Sequence, residues 1–435
     1  NLVSKTPKLN APERAITFNQ STLKESNINL FLSNRSKKFG YTFFTGGTYQ
    51  KQADVNKDGL SDVPNLKTFF LHPRLFFYPN LKQTLILGYN LTYEERKGGD
   101  MQVLDQKQDN LHQFFIRNKS IRNTADVELE TRLNNKDRLT FKGTASFFKR
   151  DISTNVFGMK AHQLSYFSEL SYLKILTRHN VVSGINFTGE NFTKANPEPI
   201  NINNYQQKTI GIFIQDDWKL SSKFTAQPGL RFDNNNDYGS FFLPRLSLLY
   251  KFNNHFTTRL GGGFGYKTPT AFSSDVDERD YSKINMDENI RAEKSRGINW
   301  DINYKQLVGN WHLTINQMFY ITEIEKPVVK AENITNLIYF YNAGQAINTK
   351  GFETYIAATH DALEIYLGYT YTLAKQLYDI THPNVSLSAR NKFASVIAYE
   401  FSEKLRAGVE AAYTGRQYLD DGSTTSPYLF AASMV

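Results

Sequence analysis

The feature that most limits what this chain can fold into is a period-two alternation, sustained over long segments between Lys208 and Tyr266. Phe224, Ala226, Pro228, Leu230 and Phe232 alternate with Thr225, Gln227, Gly229, Arg231 and Asp233. Pro244, Leu246, Leu248 and Tyr250 alternate with Arg245, Ser247 and Lys251. Phe256, Leu260, Phe264 and Tyr266 alternate with Thr257, Arg259, Gly261, Gly263 and Gly265. Successive strand side chains point to opposite sides, so each segment has one apolar and one polar face. Strands of soluble sheets usually run about 5–6 residues. These segments run roughly 10–13, the length a tilted strand needs to cross a bilayer. Tight turns (Ser221-Ser222-Lys223, Asn253-Asn254-His255) alternate with longer polar connections, the pattern of a transmembrane β-barrel.

Composition agrees with this reading where it decides anything. Mean hydropathy is −0.49 and no apolar run is long enough for a membrane helix. A membrane barrel also has low hydropathy, because half of each strand faces a polar interior. The absence of cysteine excludes disulfides and thiolate metal sites. The net charge of +9 is spread among strands and turns rather than gathered on one face, so nucleic acid is not an expected partner. The chain opens on Asn1-Leu2-Val3-Ser4-Lys5 and closes on an apolar run, and is read as an internal piece of a longer protein.

Strand-length alternation recurs along the chain, for example at Asp126–Leu133 and Arg138–Phe148 around the turn Asn134–Asp137. Every second connection is a tight turn. The others are expected to be long, notably Arg96–Lys119, the stretch between Phe148 and His162, and Lys267–Glu293, with Asp237–Ser240 as an exception. The expected fold is all-β: a transmembrane antiparallel β-barrel with about 20 strands present of an expected 22, since bacterial barrels use even numbers. A barrel that wide needs a plug. Residues 1–13 are read as the end of a plug domain and a linker, the plug being mostly absent, and residues 14–435 as the barrel, truncated at its C-terminus.

One loop carries a metal-type spacing. In Asp54-Val55-Asn56-Lys57-Asp58-Gly59-Leu60-Ser61-Asp62, side-chain oxygens stand at positions 1, 3, 5 and 9, glycine at 6 and a backbone carbonyl at 7. Asp54, Asn56, Asp58, Asp62 and the Leu60 carbonyl are therefore candidate ligands for a structural Ca²⁺ in an extracellular loop. Position 12 is Asn65 instead of the usual glutamate, and the same residues also suit a solvated Asp/Asn/Gly turn. No H-x-x-x-H pattern and no nucleophile elbow occur, so no catalytic residues are expected. His255 and His360 fall in inner turns and His179 beside one, and packing at the membrane interface is their expected role. The glycines Gly261-Gly262-Gly263 lie inside a strand, where a neighbouring group can approach closely. Tyr281 and Tyr339-Phe340-Tyr341 are candidates for stacking on a ligand or for loop packing. Arg231, Arg245, Arg259 and Glu410 line the interior, facing either a plug or solvent.

Four stretches resemble the TonB-dependent outer-membrane receptor family, in a Bacteroidetes-like style. Asn1–Lys5 is similar to the last strand of the family's plug. Ile214–Lys219 followed by Pro228–Asp233 is similar to its mid-barrel hairpin. Phe264-Gly265-Tyr266-Lys267-Thr268-Pro269-Thr270-Ala271-Phe272 and Glu288-Asn289-Ile290-Arg291-Ala292-Glu293-Lys294-Ser295 resemble two of its boxes, in the right order. The resemblance implies a receptor of the Gram-negative outer membrane. Such a receptor binds a scarce small-molecule ligand among its loops and imports it when a TonB energy complex pulls on an N-terminal segment, here missing. The implied partners are outer-membrane lipid and lipopolysaccharide, the TonB complex and the ligand, with a surface lipoprotein as a further candidate. A ferric siderophore is the first expectation. Alternatives are a haem, cobalamin or glycan receptor of the same family, a plug-less porin-type channel, or an outer-membrane enzyme.

Overall fold

The computed structural model describes residues 5–107, 109–134, 136–195, 202–270, 272, 276–286, 289–332, 337–403 and 405–434. Most of them form one antiparallel sheet in which each strand pairs with its neighbours in sequence, from Glu13–Gln20 to Tyr428–Met434. The sheet has 21 strands. Two of them, Gly239–Phe242 and Arg245–Lys251, both pair with Phe224–Asn235 and are one crossing interrupted at Leu243-Pro244, where proline has no N–H to give the ladder. Counted as one, they make twenty crossings. Among the described residues, Glu13–Gln20 pairs with Glu25–Arg35 alone and Tyr428–Met434 with Leu405–Thr414 alone. Among the described residues no helix is long and apolar enough to cross a membrane.

The burial pattern is the reverse of a water-soluble sheet. The apolar parity faces outward and is exposed: Leu230, Phe232, Leu246, Leu260, Ile298 and Ile321 are all open to the surroundings. The opposite parity holds buried polar groups, among them Asn186, Thr209, Asp233 and Asn235. Large contiguous apolar surface is not tolerated in water, so this band needs another medium.

Several strands run further than the alternation indicates. Phe115–Arg132, Arg138–Thr154 and Gly158–Ile175 continue beyond the apolar band, so the connection between the last two shrinks to a tight turn at Asn155–Phe157. The expected long loop Arg96–Lys119 reduces to residues 100–114 around a single helical turn, Met101–Leu104. The backbone ladder persists there, but the outer parity no longer has to be apolar, and the sequence loses the signal that marks a strand.

At this extended end lies the apolar core of the molecule. Ile152, Met159, Phe192, Ile202, Tyr281, Ile284, Ile338 and Phe340 pack together. They come from strand ends, from the two longest connections and, for Ile202, from the connection that leads into Tyr205–Lys219. The connection after Phe256–Lys267 contains a 3₁₀ segment, Glu278–Lys283, and the short strand Ile284–Met286. That strand pairs in parallel with Ile338–Asn342, which in turn pairs with Val328–Glu332 in the next long connection. Tyr281, at 5% exposure, and Phe340, at 2%, belong to this core; of the three ring residues at 339–341, Tyr341 is exposed.

Candidate functional site

The two sequence boxes turn out to be the hinges of this loop core. Lys267 of the first and Glu293 of the second face each other in register, with Lys267 Nζ 3.7 Å from the Glu293 carboxylate. A Glu293 oxygen also accepts from the Val328 N–H at 2.7 Å, tying down the start of the small sheet. Asn342 closes the other end: its side-chain oxygen accepts from Arg291 N at 2.7 Å, and its amide donates to the carbonyls of Arg291 and Lys326. In the first box, Pro269 offers its carbonyl to Gln207 Nε2 at 3.3 Å, and Phe272 sets its edge against Phe192 and Tyr281. The boxes thus fold both long connections back over the polar face of the sheet. Glu288 and Ala271, and Asn1–Ser4 of the plug-like opening, lie outside the described residues.

Beneath the first box lies a cavity of about 350 Å³. Arg150, Gln163, Glu190 and Gln207 from four strands supply its polar walls, and Thr268–Thr270 with Phe272 form the roof. Tyr205 donates its hydroxyl to Glu190 and stacks on Phe192. Arg150 is the cation of this site. Its Nε donates to Asn118 Oδ1 at 3.2 Å, and its guanidinium is ion-paired with Glu278, whose two oxygens also accept from Asn118 Nδ2 at 2.9 and 3.0 Å. Glu278 sits at the start of the 3₁₀ segment in the roof connection. An anion entering this mouth therefore meets an arginine already neutralised by a carboxylate that belongs to a loop. The sequence reading missed Arg150, Asn118 and Glu278. The available signal was weak: Arg150 lies where alternation fades.

Deeper on the polar face, Arg231 Nε lies 2.9 and 3.0 Å from the two oxygens of buried Asp233, and Arg231 Nη2 donates to Asn186 Oδ1 at 3.2 Å. Tyr266 donates to Asp233 at 3.0 Å and stacks on Phe241 at 3.7 Å. Parity groups Tyr266 with Leu260 and Phe264, yet its ring joins this interior network beside the break at Leu243-Pro244. Arg245 donates to Gln215 on the same face. At the tight-turn end, His179 stacks on Trp218, His360 lies against Trp311, and His255 Nδ1 is 3.1 Å from the Lys305 carbonyl. His179 and His360 thus pack against tryptophan rings, whereas His255 is exposed and meets only a backbone carbonyl.

The Asp54–Asp62 loop makes the sharp turn that its spacing calls for, with Gly59 at φ +89°. Asp54 accepts from Lys57 N and Gly59 N at 2.6 and 2.9 Å, Asn56 Oδ1 from Asp58 N at 3.0 Å, Asp58 from Leu60 N at 2.8 Å, and Asp62 from Val55 N and Asn56 N at 2.6 and 3.1 Å. These bonds preform the loop. Asn65, at position 12, turns to Gln52, and among the described residues no three His, Cys, Asp or Glu side chains converge as a metal site. The loop docks on the next one: Met101 N donates to the Gly59 carbonyl at 2.9 Å, and Leu60 bridges Asp100. Asp100 in turn holds His112 Nδ1 at 2.6 Å, which raises the imidazole pKa above its ordinary value and lowers that of the carboxyl.

An exposed apolar band, a polar opposite face and a folded loop core at one end define a membrane-embedded β-sheet protein. The chain belongs to the TonB-dependent receptors: residues 17–432 match the family model described as TonB dependent receptor-like, beta-barrel. It is accordingly a protein of the Gram-negative outer membrane. It is 24% identical over 226 residues to the ferric enterobactin receptor PirA of Pseudomonas aeruginosa, an alignment covering 47% of this chain and 30% of that receptor. The matched part is thus under a third of that relative's length. The fold is shared with the siderophore receptor PirA of Acinetobacter baumannii (TM-score 0.75, 14% identity, 99% of this chain and 74% of that one). It is shared equally with the ferric-catecholate import receptor Fiu of E. coli K12 (TM-score 0.75, 14% identity, 100% and 76%). The family and these structural neighbours are receptors and transporters rather than enzymes.

Proposed function

We propose that the protein binds a ferric siderophore at the loop-covered mouth and imports it across the outer membrane. The observation that carries this reading is the Arg150 cavity beneath the hinged loops, in a chain whose curated relative is a ferric enterobactin receptor. A ferric chelate with several deprotonated oxygens is anionic, and a guanidinium fork recognises such oxygens with charge-assisted hydrogen bonds. Gln163 and Gln207 offer neutral donors on the same wall. Ligand binding then requires the Arg150–Glu278 pair to open, which couples occupancy of the cavity to the position of the roof loop.

In the intact protein the sheet closes as a barrel of 22 strands around a plug that precedes residue 14, and the TonB complex acts through a segment N-terminal to that plug. A surface lipoprotein is a further candidate partner at the loop end. Asp54, Asn56, Asp58, Asp62 and the Leu60 carbonyl would hold a Ca²⁺ that stiffens the loop docked on Asp100; Asp58→Ala then lowers calcium content and thermal stability together, and a metal-free protein of unchanged stability refutes the site.

The test of the main reading is a titration of the full-length receptor with a ferric catecholate and with the same chelator lacking iron. Saturable binding of the ferric form, weakened by Arg150→Ala, is expected. No binding, together with a steady conductance in planar bilayers, would make the protein a channel instead.

A further inference from the structure

The cavity beneath the first box keeps one charge that Arg150 does not answer. Glu190 lines it from strand His179–Lys194 and accepts from the Tyr205 hydroxyl. Among the described residues no cation pairs with its carboxylate. The basic groups around it are engaged elsewhere: Arg150 with Glu278, Lys267 with Glu293, Arg122 over the Phe148 ring at 4.2 Å, and His162 stacked on Phe147. The remaining walls include two neutral amides, Gln163 and Gln207, and the rings of Phe148, Phe192 and Phe272.

A carboxylate has about four lone-pair sites, and one phenol fills one of them without removing the charge. Holding that charge among aromatic rings costs free energy unless a cation meets it. Glutamine at this position would accept the Tyr205 hydroxyl equally well and carry no such cost, so the charge points to a further partner. A hard metal ion does not fit. Calcium takes about 6–8 oxygen ligands, and among the described residues no three acidic or histidine side chains converge. A protonated amine does fit: it donates charge-assisted hydrogen bonds to a carboxylate and is attracted to the faces of aromatic rings.

We propose that Glu190 is a specificity residue that selects ligands bearing a protonated amine. This rests on the siderophore reading and narrows it to ferric chelates with a cationic arm. The register gives the layout. Arg150 faces Ala161, whereas Glu190 faces Ser165, which in turn faces Ser146, four residues before Arg150. Glu190 thus stands two strands across from Arg150 and four residues closer to the tight-turn end, roughly 10 Å and 13 Å away in the two directions. The iron-bound oxygens meet Arg150 near the mouth as Glu278 gives way, and the ammonium arm reaches down to Glu190.

The test is a titration of the full-length receptor with two ferric catecholates that differ only in one side arm, ending in a primary amine or in its acetamide. The wild type should bind the amine form about tenfold more tightly. Glu190→Gln should bind the two forms alike. Tyr205→Phe, which removes the hydrogen bond and leaves the charge, should keep the preference. If Glu190→Gln does not fold, Glu190→Asp decides, since drawing the charge back should shrink the preference. Equal affinity of the wild type for both forms would overturn the amine site and leave the siderophore reading standing. A preference that survives in Glu190→Gln would also overturn it, by placing the amine elsewhere. If neither ferric form binds, the siderophore reading falls and the amine site falls with it.

Discussion

Two apolar regions of this molecule are built from the same residue types and end in opposite states. In the membrane band, Ile298 is 63% and Ile321 62% exposed; in the loop core, Ile284 is fully buried and Phe340 is 2% exposed. The loop core covers itself, by hinging two long connections on Lys267–Glu293 and Asn342. The band has no cover within the chain and gains its stability from lipid. Hydrophobicity alone therefore does not locate a core. What separates the regions is periodicity: strict alternation where one face meets lipid, irregular apolar positions where loops meet one another.

Substitutions should separate the two media. Phe340→Ala removes a large side chain from a packed site and should cost about 3–5 kcal/mol of local stability. Amide exchange should rise at 276–286 and 337–342, while membrane insertion, followed by gel mobility with and without heating, stays normal. Leu260→Arg inverts this result: on the band it should cost about 2–4 kcal/mol of folding stability in bilayers and leave exchange in the loop core untouched. If both variants damaged both regions, the two would be one cooperative unit and the comparison would fail.

The site between the regions gives a smaller effect. Arg150→Ala should weaken ferric-chelate binding by roughly 10–100-fold, the worth of about 1.5–3 kcal/mol for a charged hydrogen bond, measured by fluorescence titration. Glu278→Gln should strengthen binding, since it frees the same guanidinium; weaker binding in that variant would show that Glu278 positions the ligand rather than competing with it. The smallest effect is a pH dependence outside the membrane. The folded-state pKa of His112 is raised by Asp100, so its contribution is fully present below the unfolded imidazole value and is lost as pH rises through the folded one. Asp100, with a lowered pKa, contributes above its unfolded value and loses that contribution only as pH falls through its folded value. Protection of the amides at 100–107 and 109–114, taken relative to the intrinsic exchange rate at each pH, should therefore fall from pH 5.5 to 8.5, and His112→Ala should flatten that fall.

Much of the sheet could be read from the sequence because lipid enforces one rule on every crossing. The hairpin of Ile214–Lys219 with Pro228–Asp233, a packing role for His179 and His360, and the family itself were all legible. The upper strand halves were not, because from Lys149 to Ala161 neither face meets lipid and the alternation lapses. Nor was the site: Arg150, Asn118 and Glu278 are brought together from three separate segments, and no local spacing records that. The boxes were visible as patterns, but their joint role as hinges lies in a cross-strand pair, Lys267 with Glu293, that only the register reveals. Tyr266 was grouped with the outward parity, yet its hydroxyl donates to Asp233 and its ring stacks on Phe241 of the crossing interrupted at Leu243-Pro244.

The most direct test of energised import is uptake of radiolabelled iron, supplied as a ferric catecholate, by cells that depend on the full-length receptor. Uptake should require the receptor, fall sharply with Arg150→Ala, and stop when the TonB complex is deleted or the proton gradient collapsed. Uptake that continues unchanged without TonB or the gradient would contradict import by an energised receptor and leave passive permeation in its place.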